Sequence, residues 1–128
     1  ELVSRVDGVL AGTDCIVEAF RPADPAAEVT LHLRDGERLT PGALVATITG
    51  NARAILRAER IALNFAQRLS GIATLTARYV DAVAGTGARI VDTRKTTPGL
   101  RMLERAAVRA GGAHNHRFSL SDAAMLKD

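Results

Sequence analysis

"GARIVDTRKTTPGLR", residues 87–101, decides how the second half of this chain folds. Apolar Ile90 and Val91 lead out of a glycine turn as a short buried strand, and a helical pattern follows the Pro98-Gly99 pair. Thr97 is suited to cap that helix, Pro98 to its first position, and Gly111-Gly112 to its end. Leu100, Leu103 and Ala107 form its apolar stripe, while Arg101, Arg105 and Arg109 line another face, Arg105 and Arg109 reading as solvated charges. "SLSDAAMLKD", residues 119–128, reads as a loop and a second strand. Strand, helix and strand in this order make a right-handed parallel unit, in which ligands meet the C-terminal strand ends. Arg94, Lys95 and Lys127 fall at those ends.

Upstream, Asn51 is a fitting N-cap for "ARAILRAERIALNFAQRL". Ile55, Ala58, Ala62, Ala66 and Leu69 recur at helical spacing, with Leu56 and Leu63 widening the stripe. Ser70-Gly71 is expected to end or bend this helix, and "IATLTARYVDAVAG" to form a second one. Residues 1 to 50 read as β structure: "ELVSRVDGVLAG" as a strand, alternating Val29, Leu31 and Leu33 as another, and "ALVATITG" as a third. Asp35-Gly36 fits a tight hairpin, and Pro41-Gly42 a second turn. His32 falls on a polar strand face and is expected to be exposed and inert.

Composition bounds the function. The 128 residues are 47% hydrophobic, enough for a real core and against disorder. Aromatics at 3% and no Trp argue against a base-stacking surface. With 17 basic against 14 acidic residues, the net charge of +3 suits small anionic ligands better than nucleic acid. Cys15 is alone, so it forms neither an internal disulfide nor a thiolate zinc cluster, and its apolar "CIV" setting reads as structural. No apolar run approaches the roughly 20 residues of a membrane span. A cytoplasmic setting is the expectation. The chain opens inside one strand-like segment and closes in another, which reads as a piece of a larger protein.

Nothing suggests covalent catalysis. Gly-x-Gly at 85–87 precedes a strand instead of following one, the reverse of a dinucleotide loop. His114 and His116 have no carboxylate or thiol at metal-ligand spacing. What remains is a set of cations: Arg60, Arg94, Lys95, His116, Arg117 and Lys127. Gathering them entails self-repulsion unless an anion is present, so they point to a pocket for a polyanion.

"ERIALNFAQRLSGIATLT", the stretch from Gly87 to Arg101, "AVRAGGAHNHR" and "LKD" closely resemble the quinolinate phosphoribosyltransferase family. The resemblance implies an α/β protein: part of a β-rich N-terminal α/β domain over residues 1–68, then the first part of an open (β/α) barrel over 69–128. It implies transfer of phosphoribose from phosphoribosyl pyrophosphate to quinolinate, with loss of carbon dioxide, giving nicotinate mononucleotide for NAD synthesis. Arg94, His116, Arg117 and Lys127 match family residues around quinolinate. Lys95 matches a lysine at the site of both substrates and is the candidate catalytic residue. Arg60 matches an arginine inserted into a neighbouring subunit's site, implying a homodimer or higher assembly. Magnesium is implied with the phosphoribosyl pyrophosphate, its acidic neighbours lying further along the barrel, so activity is expected only from a longer chain. A related family associated with molybdate transport shares part of "TRKT", but Asp92 and the Asn115-His116 pair fit the quinolinate enzyme better. A non-catalytic anion-binding or dimerisation module is the alternative from a different class.

Overall fold

The structure, a computed structural model, describes residues 1–126. Its axis is one long helix. Asn51 Oδ1 accepts from the N–H groups of Arg53 and Ala54 at 3.0 and 3.3 Å, which starts the helix where the capping pattern placed it. The chain then stays helical for 31 residues, Ala52–Ala82. Six shorter elements precede it: strands β1 (Leu2–Val3) and β2 (Gly8–Val9), helix α1 (Thr13–Phe20), and strands β3 (Glu28–Leu31), β4 (Arg38–Leu39) and β5 (Leu44–Thr49). The long helix is α2, and α3 (Arg101–Ala110) follows it.

β5 is the centre of an antiparallel sheet ordered β1-β5-β3, with Leu2 opposite Ala46 and Val29 opposite Ile48. β2 and β4 form a separate antiparallel pair. The buried stripe of α2 is mostly alanine (Ala54, Ala58, Ala62, Ala66, Ala73 and Ala77), which lets neighbouring elements approach the helix closely. Its first half closes a core with Ile16 and Phe20 of α1 and with Val45 and Ala46 of β5. Its second half closes another with Val9, Ala11 and Ala107 around Leu69.

Several expectations need correction. Helix α1 occupies a stretch read as β structure. It begins at Gly12, and the borrowed carboxylate of Asp35 accepts from Gly12 N–H at 3.1 Å and Thr13 N–H at 2.9 Å. Asp35-Gly36 therefore serves a helix start, and the strands on either side of it, β3 and β4, do not pair. The Pro41-Gly42 turn does form, with Ala43 N–H on Thr40 C=O at 3.0 Å. "ELVSRVDGVLAG" breaks into two short strands in different sheets.

Ser70-Gly71 does not end the helix, which runs on to Ala82. Ser70 Oγ instead accepts from Ala11 N–H at 3.0 Å and donates to Ala11 C=O at 3.2 Å, tying α2 to the chain beneath it. Leu56 faces outward and is 70% exposed, so it does not widen the apolar stripe. Residues 119–126 hold no strand. The parallel partner of Val91 is His114, two residues after the Gly111-Gly112 stop. Around α3 the parallel contact is therefore an isolated bridge instead of two strands, and the end of the expected second strand, residues 127 and 128, lies outside the described residues.

Candidate active site

The loop from Thr93 to Leu100 leaves the Val91 strand and returns as a turn before α3. Leu100 N–H donates to Thr97 C=O at 3.0 Å, with Pro98 and Gly99 between them and Gly99 at φ +78°. That geometry is a type II turn, which needs Gly at its third position, so Thr97 does not cap the helix as expected. Instead Glu104 reaches back from the first turn of α3 to accept Thr97 N–H at 3.1 Å. Arg68 of α2 grips both Thr97 Oγ1 and Glu104 Oε1 at 2.6 Å. Partial burial pushes the Glu104 carboxyl up, but hydrogen bonds from Thr97 and Arg68 outweigh it and hold the group below the usual carboxylate range. Arg101 completes the knot, donating to Arg94 C=O at 3.2 Å and to Thr96 Oγ1 at 3.3 Å.

Held this way, the backbone of Arg94 and Lys95 is fixed while their side chains stand exposed. His116 and Arg117 lie at the end of the neighbouring parallel segment. Among the described residues, none of the four is in an ion pair. His116 Nδ1 and Arg117 Nε are buried atoms without a hydrogen-bond partner, whereas Arg117 Nη1 donates to Ala123 C=O. Just past the Val91–His114 bridge, the two segments thus carry four basic residues, Arg94 and Lys95 exposed and His116 and Arg117 partly buried.

Arg60 does not join them. It sits exposed on α2, eight residues and about 12 Å of helix rise before Arg68. There it lines a different groove of about 1160 Å³, together with Arg5 and Arg78. Lys127 lies outside the described residues.

Two residues matter more than the sequence analysis allowed. Asp92 has a side chain only 5% exposed, and Arg105, read there as solvated, is 11% exposed and pairs with it at 3.7 Å. Asn115 Nδ2 donates to Asp92 Oδ2 at 2.8 Å and to Arg105 C=O at 3.0 Å. Arg105 also stacks over the Phe118 ring, 5.4 Å from its centroid. The signal was an aspartate directly following two apolar strand residues, where a carboxylate needs buried partners. Arg109 is exposed, as expected. So is His32, whose ring Nε2 hydrogen-bonds Thr47 Oγ1 at 2.9 Å. Cys15 is half-buried, and burial, then the charges of Asp14 and Asp35, raise its thiol pKa, which fits a structural residue better than a nucleophile.

Comparison with known proteins agrees along the whole chain. Residues 1–70 match the quinolinate phosphoribosyl transferase N-terminal domain, and residues 72–128 match the C-terminal domain of the same family. The probable nicotinate-nucleotide pyrophosphorylase [carboxylating] of Bacillus subtilis is 49% identical over all of this chain, which covers 44% of that protein. The Mycobacterium leprae nicotinate-nucleotide pyrophosphorylase [carboxylating] is 46% identical over 99% of this chain and 45% of its own length. The crystal structure of NadC from Streptococcus pyogenes superposes with a TM-score of 0.92 at 49% identity, over 98% of this chain and 46% of that one. The chain thus spans a little under half the length of the relatives it matches, and these matches do not favour the non-catalytic alternative. Two domain matches covering nearly every residue, and an α/β fold shared with solved structures, lead to one statement: this chain belongs to the quinolinate phosphoribosyl transferase family.

Proposed function

We propose that the full-length protein transfers phosphoribose from phosphoribosyl pyrophosphate to quinolinate, releasing pyrophosphate and carbon dioxide and forming nicotinate mononucleotide. The observation that carries this reading is that Arg94 and Lys95, and His116 and Arg117, follow directly on the parallel Val91–His114 bridge, with none of their side chains in an ion pair among the described residues. Quinolinate brings two neighbouring carboxylates, and its co-substrate brings a phosphate and a pyrophosphate. The names of the relatives point the same way.

In this proposal the pyridine nitrogen attacks the anomeric carbon as the carbon–oxygen bond to pyrophosphate breaks. The ring carboxylate beside the nitrogen then leaves as carbon dioxide, and the electron pair it leaves behind takes up a proton. No protein nucleophile is required, and catalysis consists of positioning and charge stabilisation. Arg117, with its planar fork, holds the carboxylate that is retained, and Lys95 meets the charge growing on pyrophosphate. Lys127 belongs to the quinolinate site on the strength of the family resemblance. Magnesium accompanies the phosphoribosyl pyrophosphate. The described residues do not build a place for it, because they gather no group of three His, Cys, Asp or Glu side chains and Asp92 is engaged by Asn115, His116 and Arg105.

Arg60, exposed and remote from the cluster of its own chain, acts in the site of a second subunit. Mixing Arg60→Ala subunits with Arg94→Ala subunits should restore part of the activity that each lacks alone. A cytoplasmic setting belongs to the same proposal. No helix of the described residues is long and apolar enough to cross a membrane, but the related Arabidopsis thaliana protein is named as chloroplastic, so cell fractionation is the check.

The deciding experiment is a product assay on the full-length protein. Quinolinate should give nicotinate mononucleotide, whereas nicotinate should not, because its missing carboxylate leaves desolvated guanidinium charge unpaired, a penalty of roughly 3–5 kcal/mol. Comparable turnover of nicotinate overturns the proposal.

A further inference from the structure

The two strand ends that carry the basic residues do not separate by accident. His114 N–H donates to Ile90 C=O at 3.0 Å, and Asp92 N–H to His114 C=O at 3.0 Å. A parallel ladder spaces such bonds evenly, so the next two would run from His116 N–H to Asp92 C=O and from Arg94 N–H to His116 C=O. Neither forms. Two side chains take their places: His116 N–H donates to Asp92 Oδ1 at 2.5 Å, and His116 C=O accepts from Arg105 Nη2 at 2.8 Å. The substituting groups pair with each other at 3.7 Å, and Asn115 braces both. The backbone of residue 116 is therefore held on both sides, but at side-chain distance from the Asp92 strand instead of backbone distance.

We propose that the Asp92–Arg105 pair is a spacer that sets the width between the Arg94–Lys95 arm and the His116–Arg117 arm, and with it the fit of a ligand gripped from both arms. Asp92 and Arg105 are positioning residues in this scheme, acting through the peptide unit of residue 116. The inference rests on the quinolinate reading above. Quinolinate is held by both arms and is sensitive to their separation. Phosphoribosyl pyrophosphate meets Lys95, on one arm only, and is much less so.

Steady-state kinetics and calorimetric quinolinate binding on the full-length protein test this. Asp92→Glu keeps the charge and the acceptor but adds one methylene to the spacer. It should raise the quinolinate KM and Kd about tenfold or more, with the phosphoribosyl pyrophosphate KM within about threefold of wild type. Arg105→Lys keeps the charge with a single donor group and should raise the quinolinate KM by less, again leaving the co-substrate KM in place. If Asp92→Glu does not fold, Arg105→Lys carries the same expectation. Failure of both to fold, or both substrates weakening together with a falling thermal midpoint, reduces the pair to a structural role and overturns the spacer. So does an unchanged quinolinate KM in well-folded variants. A wild-type protein that does not bind quinolinate refutes the functional reading itself, which separates the two failures.

Discussion

The layers around α2 and the segment from residue 88 onward belong to one chain but are held by different forces. Around α2, Ile16, Ala46, Leu69 and Ala73 are almost fully buried, and apolar side chains do most of the holding. From residue 88 to 126, Ala107 and Ala113 are the only buried apolar side chains among the described residues, while Val91, Met102, Phe118 and Leu120 stand exposed. Order there comes from polar reach: Arg68 on Thr97 and Glu104, Asp92 on His116, Asp122 on the N–H groups of Phe118 and Ser119. The site is built on the part with the thinner core. A polar framework directs groups precisely but contributes little net stability per bond, so its rigidity depends on being complete.

The sharpest way to break the contrast is to isolate it. A polypeptide of residues 1–128 alone should show no turnover. In hydrogen exchange, amides of α2 between residues 58 and 77 should be protected, while those of 88–118 exchange far faster. Equal protection in both regions would mean that the polar framework stabilises as well as a core does.

Next in size is the effect of single charges on the proposed activity of the full-length protein. Lys95→Ala should lower kcat about 10²–10³-fold, as loss of a contact made mainly in the transition state does. Arg117→Ala should mainly raise the quinolinate KM. The opposite pattern in steady-state kinetics reverses the two roles.

The seam between the regions offers a third test. A Cβ added at Gly111 would lie 2.5 Å from Ala73 C=O and 2.6 Å from Thr76 Cβ, so α3 ends hard against α2 only because the residue is glycine. Gly111→Ala should destabilise by about 1–3 kcal/mol in thermal or denaturant unfolding, and should lower activity by shifting α3.

The smallest effect is that of pH. The Glu104 carboxyl is held below its unfolded value of about 4.3, so the stability it contributes is fully present above that pH. That stability is lost as pH falls through the lower folded value. Glu104→Gln should flatten this acid limb of the unfolding curve and loosen the Thr97 turn; an unchanged acid limb would show that Arg68 and Thr97 hold the loop without it.

Periodicity and capping made α2 and α3 legible, because Asn51, the alanine stripe and Gly111-Gly112 are local signals with local causes. What escaped was decided at a distance. α1 hides its cap 22 residues away in Asp35, so its start carries no sequence-adjacent mark. Ser70-Gly71 resembles a helix stop, but contact with Ala11 keeps the helix running. At the site, the basic residues could be picked out by type and position, whereas the inward turn of Arg105 could not. An arginine four residues from two others reads as a solvated row until its buried carboxylate is known. The expected strand does not form over residues 119–126, where the Asp122 carboxylate instead accepts from Phe118 and Ser119 N–H and turns the chain.

Helix α2 has a mechanical consequence. The two family domains meet at residue 71, yet that junction falls inside an unbroken α-helix about 46 Å long. A modular border is here not a joint. The first domain cannot swing against the start of the second without bending a spar held by Ala11 at Ser70 and by Gly111 at Ala73 and Thr76. Gly71 has open space around it and is the weakest point of that spar, but it has no partner to bend towards. In the proposed reaction, closure over a substrate falls to loops such as 93–100 instead of to this helix. Separating the two domains at their family border would cut the spar about two-thirds of the way along, through the second of its two cores.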